Sequence, residues 1–171
     1  GILMMWVVCE QIRRRGIKVL LVGEGGDEVF GGYTWYGMGQ VPFRWLPLRG
    51  RAALCHYATS RMLDGFAEGT DRVAQWFENS GASEPFRQVQ YWEICQQLPN
   101  HYLMKVDKAT MAHGIEARVP YLDRRLVQWV YNLPRRILQK SFLWSPCAEN
   151  AKWLLRRMAG ELLPPGISSR R

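Results

Sequence analysis

Apolar residues near the start of the chain recur at three- and four-residue steps: Ile2, Met5, Trp6, Cys9 and Ile12 share one side of a helix. The spacing predicts a helix over 2–15 with one buried stripe. Arg13, Arg14 and Arg15 fall in its last turn, where cations suit the helix dipole, and Gly16 is a natural stop. A solvated helix end accounts for the three arginines. Ile17-Lys18-Val19-Leu20-Leu21-Val22 then runs almost continuously apolar, the pattern of a strand covered on both faces. Helix, short turn, buried strand and glycine-rich loop in that order predict an α/β layer.

Beyond Gly37 the pattern becomes helical. Pro42 and Pro47 break a Trp- and Phe-containing connector. Ala53, Leu54, Tyr57, Ala58, Arg61 and Met62 then suggest a helix, Val73, Trp76 and Phe77 a second, and Phe86, Val89 and Trp92 a third that ends before Pro99. A further helix is expected after Pro99, with Gly114 as its end. Ile115, Ala117 and Val119 alternate with Glu116 and Arg118, so a short extended piece points both charges to one side. Pro120 halts it, and Asp123 can cap a helix with the stripe Leu126, Val130 and Leu133. No further strand, repeat or low-complexity tract stands out. A buried parallel strand needs neighbours, so the rest of the sheet is expected upstream of Gly1.

The 171 residues suffice for one domain with a real core; 47% are apolar and 22% charged, which excludes a disordered tail or a fibrous repeat. The net charge of +8 admits nucleic acid, membrane surface or polyphosphate as a partner. Lys and Arg are dispersed in twos and threes, however, and no nucleic-acid motif is present, which disfavours a basic helical interaction module. Cys9, Cys55, Cys95 and Cys147 lie far apart with no CxxC pair, and are expected reduced. His56, His101 and His113 have no triad-like neighbours and read as structural. The opening apolar run is too short for a secretion signal, and no run is long enough to span a bilayer, so a soluble, cytoplasmic protein is expected.

The chemistry concentrates in two stretches. Directly after the strand comes Gly23-Glu24-Gly25-Gly26-Asp27-Glu28-Val29-Phe30-Gly31-Gly32-Tyr33. Its glycines permit a tight strand-to-helix turn and close approach of a ligand to the backbone. It is neither a Walker A loop nor a dinucleotide fingerprint, because Gly-Lys-Ser/Thr is missing and Glu28 takes the third glycine position. Glu24, Asp27 and Glu28 would repel a bare phosphate. They suit a phosphate site if Mg²⁺ stands between, or if one of them acts as a base. A plain turn with solvated acids accounts for them equally well.

Val19 to Tyr33 resembles the Ser-Gly-Glu-Gly-Ala-Asp-Glu-Leu-Phe-Gly-Gly-Tyr signature of the asparagine synthetase family. Val22 stands where the family usually has Ser, Gly26 replaces Ala, and Val29 replaces Leu or Ile. The second stretch, Leu98 to Pro134, is also similar to that family. It includes Lys105-Val106-Asp107, Met111-Ala112, Glu116-Ala117-Arg118-Val119-Pro120 and Leu122-Asp123. Two long motifs in the family's order are far more specific than either alone. Read without the resemblance, Glu116 and Arg118 form a simple ion pair. The tail from Ala151 to Pro165 resembles the family's last core helix and the proline turn after it.

The resemblance implies an α/β fold, part of a Rossmann-like ATP-pyrophosphatase (adenine nucleotide α-hydrolase-like) domain, mostly helical within 1–171. It implies an ATP- and Mg²⁺-dependent ligase that adenylates the aspartate side chain and transfers ammonia from glutamine to give asparagine. Val22 and Gly23 would contact the nucleotide through backbone, Glu24 would assist proton removal, and Asp27 would hold Mg²⁺. Asp107 and Glu116 would line the acceptor end, Glu116 in a catalytic role. Relatives that close β-lactams or lasso peptides, or amidate sugars, share these motifs and keep the acceptor open. A homodimer is one option for the full-length protein. The family's Ser-Gly-Gly-x-Asp-Ser phosphate loop is expected before Gly1, and its trailing lysine just past Arg171. With these and the glutaminase domain outside it, 1–171 alone is expected to be a catalytically silent internal fragment with a sticky strand edge.

Overall fold

A computed structural model describes residues 2–33, 35–36, 45–60, 66–139 and 151–168. The expectations for Pro42, Arg61, Met62 and Cys147 lie outside the described residues. Helix α1 (Ile2–Arg14) leads to strand β1 (Val19–Leu21), and the glycine loop follows into the short helix α2 (Gly26–Phe30). Next come α3 (Leu48–Ser60), α4 (Phe66–Asn79) and α5 (Pro85–Trp92). A π-helix, Glu93–Leu103, continues α5 into α6 (Met104–Ala112). Strand β2 (Glu116–Arg118), a 3₁₀ turn at Pro120–Leu122, α7 (Arg124–Asn132), α8 (Arg135–Leu138), α9 (Trp153–Leu162) and α10 (Pro165–Ser168) complete the order. The result is a mostly helical α/β architecture with a small parallel sheet.

The extended piece after Gly114 is the partner of β1, which its length alone did not reveal. Val19 pairs with Glu116, Leu20 with Ala117 and Leu21 with Arg118, all parallel. Backbone bonds continue past both ends: Glu116 N–H donates to Lys18 O at 2.8 Å, and Val22 N–H to Arg118 O at 2.9 Å. The two stretches that carry the chemistry are therefore neighbouring strand ends.

Two apolar clusters hold the elements. A small one joins Cys9 of α1, Ala109 of α6 and Ile115, with Met5, Ile12 and Leu20 packed against it. The larger one gathers Val29 and Phe30 of α2, Phe77 of α4, Phe86 and Trp92 of α5, and Val130 of α7. Between them the sheet is covered on one face only. Val19 and Leu21 are 42% and 70% exposed, which corrects the expectation of a strand buried on both sides. Pleating turns Leu20 toward α1 and α6 and its neighbours away, and among the described residues nothing covers that second face. The α1 stripe is likewise narrower than its spacing implied: Cys9 is buried, but Ile2 and Trp6 stay exposed.

Pro99 does not break the helical run. A proline in an α-helix removes one backbone bond and clashes with the carbonyl four residues back. In the wider π-helical turn, with its five-residue hydrogen-bond spacing, Pro99 sits inside a continuous run from Pro85 to Ala112. The cap of α7 forms as expected, with Asp123 Oδ1 accepting from Arg125 N–H at 2.9 Å and Leu126 N–H at 3.2 Å. His113 is structural, its Nδ1 donating to Ala109 O at 2.8 Å and its ring edge-on to Trp6. No helix among the described residues is long and apolar enough to cross a membrane.

Gly25 tests the loop turn most sharply. Its φ of +87° is left-handed, and a Cβ there would lie 2.3 Å from Leu122 Cδ2. Gly25→Ala should destabilise by roughly 2–5 kcal/mol, combining left-handed strain with overpacking. Gly81, at φ +62° with nothing within 4 Å of a Cβ, is the control. Gly81→Ala should cost only the strain, about 1–2 kcal/mol. Urea unfolding of both variants decides it; equal losses would mean that Leu122 does not press on the loop.

Candidate active site

The loop leaves β1 at Val22 and is seated on the turn that follows β2. Gly25 meets Leu122, and a Cβ on Gly26 would sit 3.3 Å from the Tyr121 ring. The Tyr121 ring also stands edge-on to Phe30, with centroids 5.8 Å apart. Gly31, at φ +69°, ends α2, and Gly32 N–H donates to Asp27 O at 2.7 Å. The backbone thereby folds back so closely that a Cβ on Gly32 would collide with Asp27 Oδ1, 1.8 Å away. Only glycine leaves room for the carboxylate.

Asp27 has a partner that the sequence did not announce. Lys152 Nζ lies 2.9 Å from Asp27 Oδ1. Lys152 precedes α9 and has φ +50°, the one non-glycine positive φ among the described residues. It lines a cavity of about 440 Å³ together with Gly23, Gly26, Tyr121, Leu155 and Arg156. Two cations therefore face the glycine backbone across an open cleft, beside the Asp27 carboxylate. Such a set suits a polyphosphate, whose charge the cations offset.

Glu24 and Glu28 occupy different environments. Glu24 is half-buried, and its carboxyl is pushed upward by burial first, then by Glu28 and Asp27, while Lys105 pulls it down. Glu28 is buried, accepts the Tyr33 hydroxyl at 2.5 Å, and is still pushed upward, chiefly by burial. A partly buried carboxyl with a raised pKa is a better proton acceptor near neutral pH than a solvated one. Among the described residues no group of three or more His, Cys, Asp or Glu is arranged to hold a metal. The single Asp27 carboxylate fits a Mg²⁺ ion that brings phosphate and water ligands with it, and not a protein-caged one.

Asp107 and Glu116 line a separate cavity of about 280 Å³ between α6 and β2, with Thr110, Met111 and Val119. Glu116 is exposed and its Oε1 accepts from Arg118 Nε at 2.8 Å, which holds its carboxyl below the usual range. That is the plain ion pair the strand alternation allows. Val22 is half-buried, and its N–H is already bonded to Arg118 O. A nucleotide contact from Val22 would run through its carbonyl.

Sequence reasoning also missed Glu93. It is fully buried, and its Oε1 accepts from Trp35 Nε1 at 2.6 Å. A signal was present: Glu93 follows Trp92 in an apolar run with no Lys or Arg within four positions.

Comparison with known proteins identifies a family. The asparagine synthase family profile matches residues 2–171. The chain is 30% identical over 161 residues to a Mycobacterium tuberculosis protein named as a glutamine-hydrolysing asparagine synthetase, covering 71% of this chain and 25% of that protein. Asparagine synthetase 1 of Bacillus subtilis is 25% identical over 198 residues, covering 92% of this chain and 30% of the relative. Asparagine synthetase 3 of Bacillus subtilis is 26% identical over 182 residues, covering 98% and 27%. The chain thus spans 25–30% of the length of these curated relatives. No solved structure matches. With two motifs in order, their ends paired in one sheet, and a family match over nearly every residue, the chain belongs to the asparagine synthase family.

Proposed function

We propose that the protein is an ATP-dependent, amide-forming ligase, and that residues 1–171 are part of its synthetase domain, of the Rossmann-like ATP-pyrophosphatase fold. The observation that carries this reading is the cleft where Lys152 and Arg156 face the backbone of the glycine loop, with Asp27 paired to Lys152. Aspartate is the acceptor we favour, with ammonia derived from glutamine, in the cytoplasm; the names of the relatives support both substrates.

A carboxylate is a poor acyl donor until one oxygen becomes part of a good leaving group. In the first step an aspartate side-chain oxygen attacks the α-phosphorus of ATP, the bond to the β-phosphate bridging oxygen breaks, and pyrophosphate departs. Lys152 and Arg156 offset the charge that gathers on the departing group, and the bare glycine backbone lets it approach. Mg²⁺ carried by ATP, held at Asp27, would supply further positive charge on the phosphates. In the second step ammonia attacks the acyl carbon, AMP leaves with the bonding electron pair, and Glu24 accepts the proton lost from nitrogen. Its raised proton affinity suits that task. Asp107 and Glu116 line the acceptor end.

Two variants of the full-length protein separate these roles. Asp27→Asn keeps size and turn preference but removes the charge, and should raise the Mg²⁺ concentration needed for ATP–pyrophosphate exchange while the unfolding temperature stays close to wild type. Unaltered Mg²⁺ dependence would make Asp27 a turn residue. Glu24→Gln should slow amide formation by roughly 10²–10⁴-fold while the acyl-adenylate still accumulates. Equal loss of both half-reactions would place Glu24 in nucleotide binding instead.

A further inference from the structure

Near the glycine loop lies a further buried acid that the reaction above does not use. Glu93 opens the π-helix and is fully buried. Its Oε1 takes one hydrogen bond, from Trp35 Nε1, and among the described residues its Oε2 has no partner. An ionised carboxylate withdrawn from water needs a cation or several donors, and a single indole N–H is neither. The groups that face it are acids and phenols. From α2 come Glu28 and Asp27, from the segment after α2 Tyr36, from α3 the buried Cys55 thiol, and from the π-helix itself Tyr102. The packed helices carry Arg49 and Arg51 (α3), Arg72 (α4) and Arg87 (α5); Arg49 pairs with Asp71, and no cation is among the charges that act on the Glu93 carboxyl. Arg51 donates to Leu46 O and Gln88 Oε1, and Arg87 to Gln90 Oε1 and Leu133 O.

Glu28 competes with Glu93 for the role of buried anion, and is better equipped for it. It accepts the Tyr33 hydroxyl and is further favoured as an anion by backbone hydrogen bonds. Two like charges in one apolar core do not coexist cheaply, so the proton resides on the acid with fewer donors. The same helical run then reaches Lys105, in the first turn of α6, whose charge draws the Glu24 carboxyl down. One continuous element presents a neutral acid beneath α2 and a cation beside Glu24.

We propose that Glu93 is a positioning residue, held as a neutral carboxylic acid that keeps the Trp35 and Tyr36 wall closed beneath α2 and so holds Glu24 and Asp27 in register with the cleft. This rests on the reading of the loop as the site of amide formation. Tyr36 connects wall and helix directly, its hydroxyl donating to Glu28 O at 2.6 Å, and Gln90 Nε2 donates to Val29 O at 2.7 Å from the same side. Ionisation of Glu93 would add negative charge to a core that already holds Glu28, and would draw water toward the wall on which α2 rests.

The sign of the pH effect follows from where the proton is held. Burial pushes the folded-state carboxyl up to about 8, from 4.5 for an ordinary glutamate. The folded protein therefore keeps a proton that the unfolded chain has released across that window, and stability falls as pH rises through it. Glu93→Gln mimics the neutral acid and removes the titration. In the full-length protein, the unfolding temperature of Glu93→Gln minus that of wild type should grow from pH 5 to pH 8 and then level off. The infrared carbonyl band of a protonated carboxylic acid should be present in wild type at pH 7 and lost in the variant. Amide formation by Glu93→Gln should retain the neutral-pH rate and lose the alkaline limb that wild type shows near pH 8. A pH-independent difference in unfolding temperature, or no lost band, would overturn the neutral acid. Both signals without a changed pH–rate profile would overturn the positioning role. The first two readouts do not depend on the reaction, so their success in a protein that forms no amide would count against the proposed function alone.

Discussion

Four carboxyl groups converge within one turn of chain and its backing helix: Glu24, Asp27 and Glu28 on the loop, and Glu93 behind it. Like charges at this density repel, and burial makes each ion dearer still. Much of the local architecture follows from keeping them apart in state as well as in space. Asp27 is matched by Lys152, Glu28 by the Tyr33 hydroxyl, Glu93 by the Trp35 indole, and Glu24 lies under the influence of Lys105. The partners come from α6, the residue that precedes α9, and the segment after α2. The loop is thus assembled from distant parts of the chain and is not a self-contained turn.

Glycine supplies the geometric half of the same constraint. The left-handed Gly25 rests on Leu122, Gly26 lies against Tyr121, and Gly32 clears the Asp27 carboxylate. The contacts at Gly25 and Gly26 join the two chemistry-bearing stretches beside the short sheet. An acid can then sit on a backbone that closely approaches a ligand, while the ring of Tyr121 and the cluster around Phe30 keep water from beneath it.

Much of this could be read from residue order. The strand, the turn, the Asp123 cap and the Glu116–Arg118 pair are all legible in local pattern; local interactions form the cap and the ion pair, while the strand is completed by β2 and the turn by Leu122 and Tyr121. What escaped depended on non-local or unusual backbone. Pro99 marks a helix break in any α-helical reading, yet the π-helical turn absorbs it. Lys152 reaches Asp27 from a left-handed conformation that a lysine side chain does not advertise. The exposed faces of Val19 and Leu21 reflect which elements cover the sheet, a property of the surroundings and not of the strand. Asp107 and Glu116, which the family resemblance sets at the acceptor end, line a cavity of their own between α6 and β2.

The account stands on a carboxylate being activated by transfer to the α-phosphorus of ATP at the Lys152 cleft. The most direct test labels the aspartate side-chain carboxylate with oxygen-18 and follows the label in a single turnover of the full-length protein. Label appearing in the phosphoryl group of AMP, with release of unlabelled pyrophosphate, is the predicted result. Label in inorganic phosphate together with ADP would mean γ-phosphoryl activation and contradict the account.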